Sequence, residues 1–134
     1  MVCVVALKIA AVSALPAGLR LQLLLLAPTL GRWSIVLLAT LFPYGRESGL
    51  GAPLKVAATR RALLLASLLP LAGCLTLGPV GVLCGLVASV VALGLGRWLM
   101  RLLPGLTGDS YGAACELVEA TVWLSAAPLA RVWA

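Results

Sequence analysis

From Ala62 to Gly96 the chain carries no charged residue. A helix needs about 20 residues to cross the hydrocarbon core of a bilayer, so this run is too long for one crossing and suits two. Gly78-Pro79 stands in its middle, and that dipeptide marks a turn. The reading is a membrane hairpin, with one span at about 61–77 and another at about 80–98.

Composition points the same way. The chain is 63% hydrophobic and 10% charged, with mean hydropathy +1.15, whereas soluble domains are roughly 25% charged. So little polar surface cannot face water, and membrane lipid is the natural solvent. Net charge is +6 with ten Lys and Arg, but these stand between apolar runs, with no basic stripe of interleaved aromatics. Nucleic acid is therefore set aside as a partner. There is no histidine, which excludes imidazole bases, His-zinc sites and Ser-His-Asp triads. Cys3, Cys74, Cys84 and Cys115 form no C-x-x-C pair and read as small buried hydrophobes.

The hairpin is basic at both ends. Arg46, Lys55, Arg60 and Arg61 precede it, and Arg97 and Arg101 follow it. The positive-inside rule makes both ends cytoplasmic, which requires an even number of crossings between them. Backwards from there, 21–42 is a span with Pro28 inside it, PAGLR (16–20) is an outer turn, and 2–15 is a shorter span. Lys8 sits inside that first apolar run and no basic residue precedes it, so the run reads as a short first span, with a signal peptide as the alternative. Forwards, 110 to about 133 crosses outwards. The expectation is an all-α, polytopic membrane protein of about five transmembrane helices, folded as a single helical membrane domain over residues 1–134. Gly81, Gly85, Ala88 and Ala92 make a small-residue face, read as packing.

The chain has only four acidic residues, and Asp109, Glu116 and Glu119 all lie in PGLTGDSYGAACELVE (104–119). Thr107 or Asp109 can cap a helix starting there. On that helix Asp109, Gly112, Ala113 and Glu116 share one face, with Glu119 rotated partly off it. Two carboxylates then bracket two residues with almost no side chain, leaving room beside the backbone. Ionised groups in a membrane helix cost roughly 3 kcal/mol each and persist when paired, wet or bound to a cation. Mg²⁺ suits such oxygen ligands and bridges to phosphates, and Arg97 and Arg101, at i and i+4, can meet phosphate oxygens. The competing reading is that Glu116 and Glu119 only neutralise arginines of neighbouring helices and Asp109 is only a cap.

Two segments together carry a resemblance. TGDSYGAACELVE, with Gly105 before it, is similar to the C-terminal motif of cobalamin synthases, the membrane-embedded adenosylcobinamide-GDP ribazoletransferases. Thr107, Gly108, Asp109, Gly112, Ala113, Glu116 and Glu119 match, while Pro104 stands where a glycine is usual. LFPYGRESGLG (41–51) resembles the family's Y-A-R-x-E-G-L-G loop through Tyr44, Arg46, Gly49, Leu50 and Gly51, with Gly45 in place of alanine and Ser48 where a glutamate is common. LLLAPTLGRWSIVLL (24–38) is similar to the family helix with a small residue before an arginine, here Gly31-Arg32.

The resemblance covers nearly the whole chain but only the C-terminal half of the family's length. The family's N-terminal half carries an aspartate-rich segment absent from this sequence. The resemblance implies a transferase of cobalamin biosynthesis in the bacterial inner membrane, with its active-site loops cytoplasmic. It would join α-ribazole or its 5′-phosphate to adenosylcobinamide-GDP, release GMP and require Mg²⁺. Asp109 and Glu116 would be catalytic and metal ligands, with Glu119 a further ligand. Arg46 and Arg97 would contact phosphates, with Arg32 and Arg101 behind them. A missing N-terminal half or a homo-oligomer would be the polypeptide partner. The alternatives are an inactive remnant, a small helical membrane subunit without catalysis, or a small transporter with the three carboxylates in an ion path.

Overall fold

The computed structural model describes residues 2–46, 49 and 51–133. Ser48 and Leu50 of the first loop motif lie outside the described residues. Among the described residues the chain forms six helices: α1 (Val2–Ser13), α2 (Ala17–Leu41), α3 (Ala52–Ala57), α4 (Arg60–Thr76), α5 (Gly78–Leu99) and α6 (Gly108–Trp133). The all-α expectation holds. Three helices are long and apolar enough to cross a membrane: α2, α5 and α6. Helix α4, at 17 residues, and α1, at 12, are shorter. At about 1.5 Å per residue α1 covers only roughly 18 Å of a core about 30 Å thick. By length and composition three helices can cross a membrane, and the five crossings expected from the sequence are not confirmed.

The hairpin turns where Gly78-Pro79 was expected to turn it. Gly78 has φ +59°, a left-handed conformation that glycine adopts without steric cost, and Pro79 occupies the first turn of α5, where its missing N–H is not needed. Helices α4 and α5 then pack closely. A Cβ at Gly81 would run into the Cys74 carbonyl of α4, and one at Gly96 would meet Leu38 and Phe42, at the end of α2, at 2.7 Å. Together with the buried Cys84, Ala88 and Ala92 of α5, these glycines form the small face that lets membrane helices approach. Helix α6 is the centre of the bundle and packs on α1, α2 and α5, while α2 also packs on α4.

Two properties suit this bundle to a bilayer. The hydroxyls of Thr29, Ser34, Thr40, Ser67, Ser89 and Thr121 all donate to carbonyls of their own helix, so none needs water. The outer face of α4 is open leucine, including Leu64, Leu65, Leu68, Leu69 and Leu75, a surface that water would not tolerate and lipid does.

The ends of α2 and α5 and the starts of α4 and α6 meet at one end of the bundle, where two loops join. Tyr44 and Leu106 form an isolated parallel bridge: Gly45 N–H donates to the Leu106 carbonyl at 2.8 Å and Leu106 N–H to the Pro43 carbonyl at 2.9 Å. The approach is so close that a Cβ on Gly105 would stand 2.6 Å from Gly45 N. Helix α3, which lies between the expected spans, sits under this junction. Its Lys55 ammonium donates to the Ala39 and Phe42 carbonyls at 2.7 and 2.8 Å and so caps the C-terminal end of α2.

Candidate functional site

The junction brings the two motif loops together. Tyr44 stacks on Tyr111 of α6, with ring centroids 6.4 Å apart and planes 22° from parallel. The glycines of the first loop make room for that ring: a Cβ on Gly51 would stand 2.7 Å from Tyr44 Cε2, and one on Gly49 2.9 Å from its hydroxyl. Around this pair the end of the bundle collects Arg46, Arg97 and Arg101, all exposed. Among the described residues none of the three has an ion-pair partner.

Helix α6 begins beside the junction. Thr107 N–H donates to Ser110 Oγ at 3.3 Å, and the two hydroxyls are 3.3 Å apart. Thr107 thus stands at the cap and the Ser110 side chain reaches back to its N–H, one half of a capping box. Asp109 lies inside the first turn of α6, where a carboxylate meets the positive end of the helix dipole. It is exposed, without hydrogen-bond or ion-pair partner among the described residues.

The stripe expected on α6 exists. Asp109, Gly112, Ala113 and Glu116 are all exposed, while Tyr111, Ala114, Cys115 and Val118 between them are buried. A Cβ on Gly112 would meet nothing within 4 Å, so the backbone there borders open space. At about 1.5 Å per residue the Asp109 and Glu116 backbones are roughly 10 Å apart along the axis. The two carboxylates mark the ends of an open strip rather than one chelating pair.

Glu116 and Glu119 lie deeper and are already engaged. Lys8 Nζ of α1 is 2.7 Å from Glu116 Oε2 and 2.7 Å from Glu119 Oε2. Arg32 of α2 pairs with Glu119 Oε1 and also donates to Cys115 Sγ at 3.4 Å. Glu119 is only 7% exposed, Lys8 15%, Glu116 49% and Arg32 64%. Arg32 stands roughly 14 Å before the end of α2 and Glu119 roughly 16 Å into α6, so both lie at similar depth within their helices. Gly31 allows the contact: a Cβ there would stand 2.8 Å from Glu119 Cγ and 3.1 Å from the Cys115 carbonyl.

The structure therefore divides the candidate residues into two groups. Asp109, Arg46, Arg97 and Arg101 share the loop end. Glu116, Glu119 and Arg32 share an ionic cluster one helix-turn and more below it. Sequence reasoning missed Lys8, which holds that cluster together, because its partners are more than 100 residues away and no local pattern announces them. It also missed Tyr111 as the stacking partner of Tyr44. Among the described residues no group of three or more Cys, Asp and Glu side chains is arranged to hold a metal ion.

The profile of the cobalamin-5-phosphate synthase family matches residues 1–127. An adenosylcobinamide-GDP ribazoletransferase from Desulforamulus reducens is 42% identical over 122 residues, covering 89% of this chain and 48% of the relative. Proteins of the same name from Synechococcus sp. and Pseudomonas syringae are 38% and 40% identical, covering 92% and 96% of this chain and 51% and 54% of theirs. The chain thus spans about half the length of the curated relatives it matches. No solved structure matches it. The profile covers both loops of the junction and the whole α6 stripe, and the chain belongs to the cobalamin-5-phosphate synthase family.

Proposed function

We propose that the chain carries part of the catalytic centre of an adenosylcobinamide-GDP ribazoletransferase. The observation that carries this reading is the open strip of Asp109, Gly112, Ala113 and Glu116 on the helix that starts at the end of the bundle carrying the exposed Arg46, Arg97 and Arg101. In the reaction an alcohol of α-ribazole, or of its 5′-phosphate, attacks the cobinamide-side phosphorus of adenosylcobinamide-GDP. A new P–O bond forms, the P–O bond to GMP breaks, and the alcohol gives up its proton. Such chemistry is mostly positioning and charge neutralisation. Arg46 and Arg97, with Arg101 beside them, would hold the phosphate oxygens and the departing GMP. Gly112 and Ala113 would let a substrate lie against the α6 backbone.

Mg²⁺ would supply further neutralisation of the phosphates. Asp109 fits as a ligand, being an exposed carboxylate free of cationic partners among the described residues. Glu116 fits less well, since Lys8 already holds one of its oxygens. Glu119 fits poorly, since both its oxygens are engaged by cations. The remaining ligands would come from substrate phosphates and from further polypeptide, either another segment like that in the longer relatives or a second copy. The six basic residues Arg46, Lys55, Arg60, Arg61, Arg97 and Arg101 at one end support a cytoplasmic face for the junction in a bacterial inner membrane.

The test is GMP release from adenosylcobinamide-GDP, α-ribazole and Mg²⁺, by the detergent-solubilised chain alone and with the non-aligned half of a relative in trans. The expected result is release that falls about 100-fold in Asp109→Asn. Release unaffected by Asp109→Asn would remove Asp109 from the site. The engagement of Glu119 by Lys8 and Arg32 favours a second reading, a helical subunit whose carboxylates only neutralise charge. Absence of release under both conditions would support it.

A further inference from the structure

Lys8 stands where the sequence reading placed a metal. We propose that its ammonium is the resident cation of the Glu116–Glu119 pair, that this pair holds no divalent ion, and that Lys8 positions Glu119 and, through it, Arg32.

The geometry is that of a built ammonium site. One nitrogen lies 2.7 Å from an oxygen of each carboxylate, the position from which a bridging cation would contact both. It also lies 5.6 Å from the Trp123 ring centroid, within the range of a cation–π contact. That ring is fixed, because its indole N–H donates to the Leu23 carbonyl at 3.0 Å in a buried setting. Two carboxylates and an aromatic face are what an ammonium needs. Mg²⁺, which demands near-octahedral oxygen at about 2.0–2.1 Å, would need the space between the carboxylates that the ammonium already fills.

Charge balance decides between the two cations. Lys8 and Arg32 match Glu116 and Glu119 one for one, so the cluster is neutral. A divalent ion added to it would leave two uncompensated positive charges deep in the helices, where each is costly. Displacing Lys8 instead would strand an ammonium that is largely buried. Holding both Oε2 atoms, Lys8 leaves Glu119 Oε1 directed to Arg32, whose guanidinium is otherwise exposed. None of this depends on which reaction the chain takes part in.

The experiment is Mn²⁺ titration of the purified full chain in detergent, read by electron paramagnetic resonance. In the wild type, Mn²⁺ binding is expected to be unchanged by Glu116→Gln, a substitution at a half-exposed position. Lys8→Met is expected to create a Mn²⁺ site at least about tenfold tighter than any in the wild type. That site should vanish again in Lys8→Met/Glu119→Gln, and Lys8→Arg should behave as wild type. Wild-type Mn²⁺ binding that is lost in Glu116→Gln would overturn the proposal, and this comparison stands even if Lys8→Met fails to fold. A folded Lys8→Met chain that gains no Mn²⁺ site would overturn it equally.

Discussion

A carboxylate buried within a membrane helix persists when it is met by opposite charge, and Glu119 is met by Lys8 and Arg32 together. Removing one member of a buried ionic group leaves its partner's desolvation uncompensated and costs about 3–5 kcal/mol. Glu119→Gln should therefore lower the thermal midpoint of the detergent-solubilised chain sharply. Glu116→Gln, at a position open to solvent, should cost under about 1 kcal/mol. Equal effects would mean that the burial difference between the two glutamates carries no energetic weight. Gly31→Ala belongs with Glu119→Gln, because its methyl would press on Glu119 Cγ and the Cys115 carbonyl, and overpacking of this kind costs about 1–3 kcal/mol. The sequence showed that Glu119 leaves the stripe of Asp109 and Glu116, since helical geometry alone fixes that. It did not show what Glu119 turns towards, because Lys8 lies on another helix at the far end of the chain.

At the scale of elements, the α4–α5 hairpin and the start of α6 were legible, and the loop junction was not. A charge-free run broken by Gly-Pro is a local signal, and its turn lies at Gly78 as expected. The approach of Gly45 to Gly105 is non-local: each loop alone reads only as glycine-rich. The two glycines let backbone meet backbone, so Gly105→Ala should force the loops apart. Hydrogen exchange is expected to show faster exchange at the Gly45 and Leu106 amides, with the amides in the middle of α5 unchanged. Unaltered protection at both loop amides would show that the junction yields without breaking. Helix α3 is not legible in the sequence because six residues are too few to show a helical period.

At the scale of the whole molecule, lipid-facing leucines, a neutral ionic cluster at depth and a basic end form one gradient of polarity. If the basic end faces the cytoplasm, a cysteine at position 101, in a chain whose Cys3 is replaced by serine, should react with a membrane-impermeant thiol reagent in inverted vesicles and not in intact cells. The opposite pattern would reverse the orientation. If the open strip on α6 receives substrate, Gly112 is the position where a side chain would block it. Nothing lies within 4 Å of a Cβ there, and replacing glycine in a helix gains up to about 1 kcal/mol of helix propensity. The measurement is GMP release by Gly112→Leu, supplied with the complementary half of a relative, alongside its thermal midpoint. A midpoint equal to or above wild type with GMP release abolished is expected. A folded variant that releases GMP at the wild-type rate would contradict substrate binding on the strip.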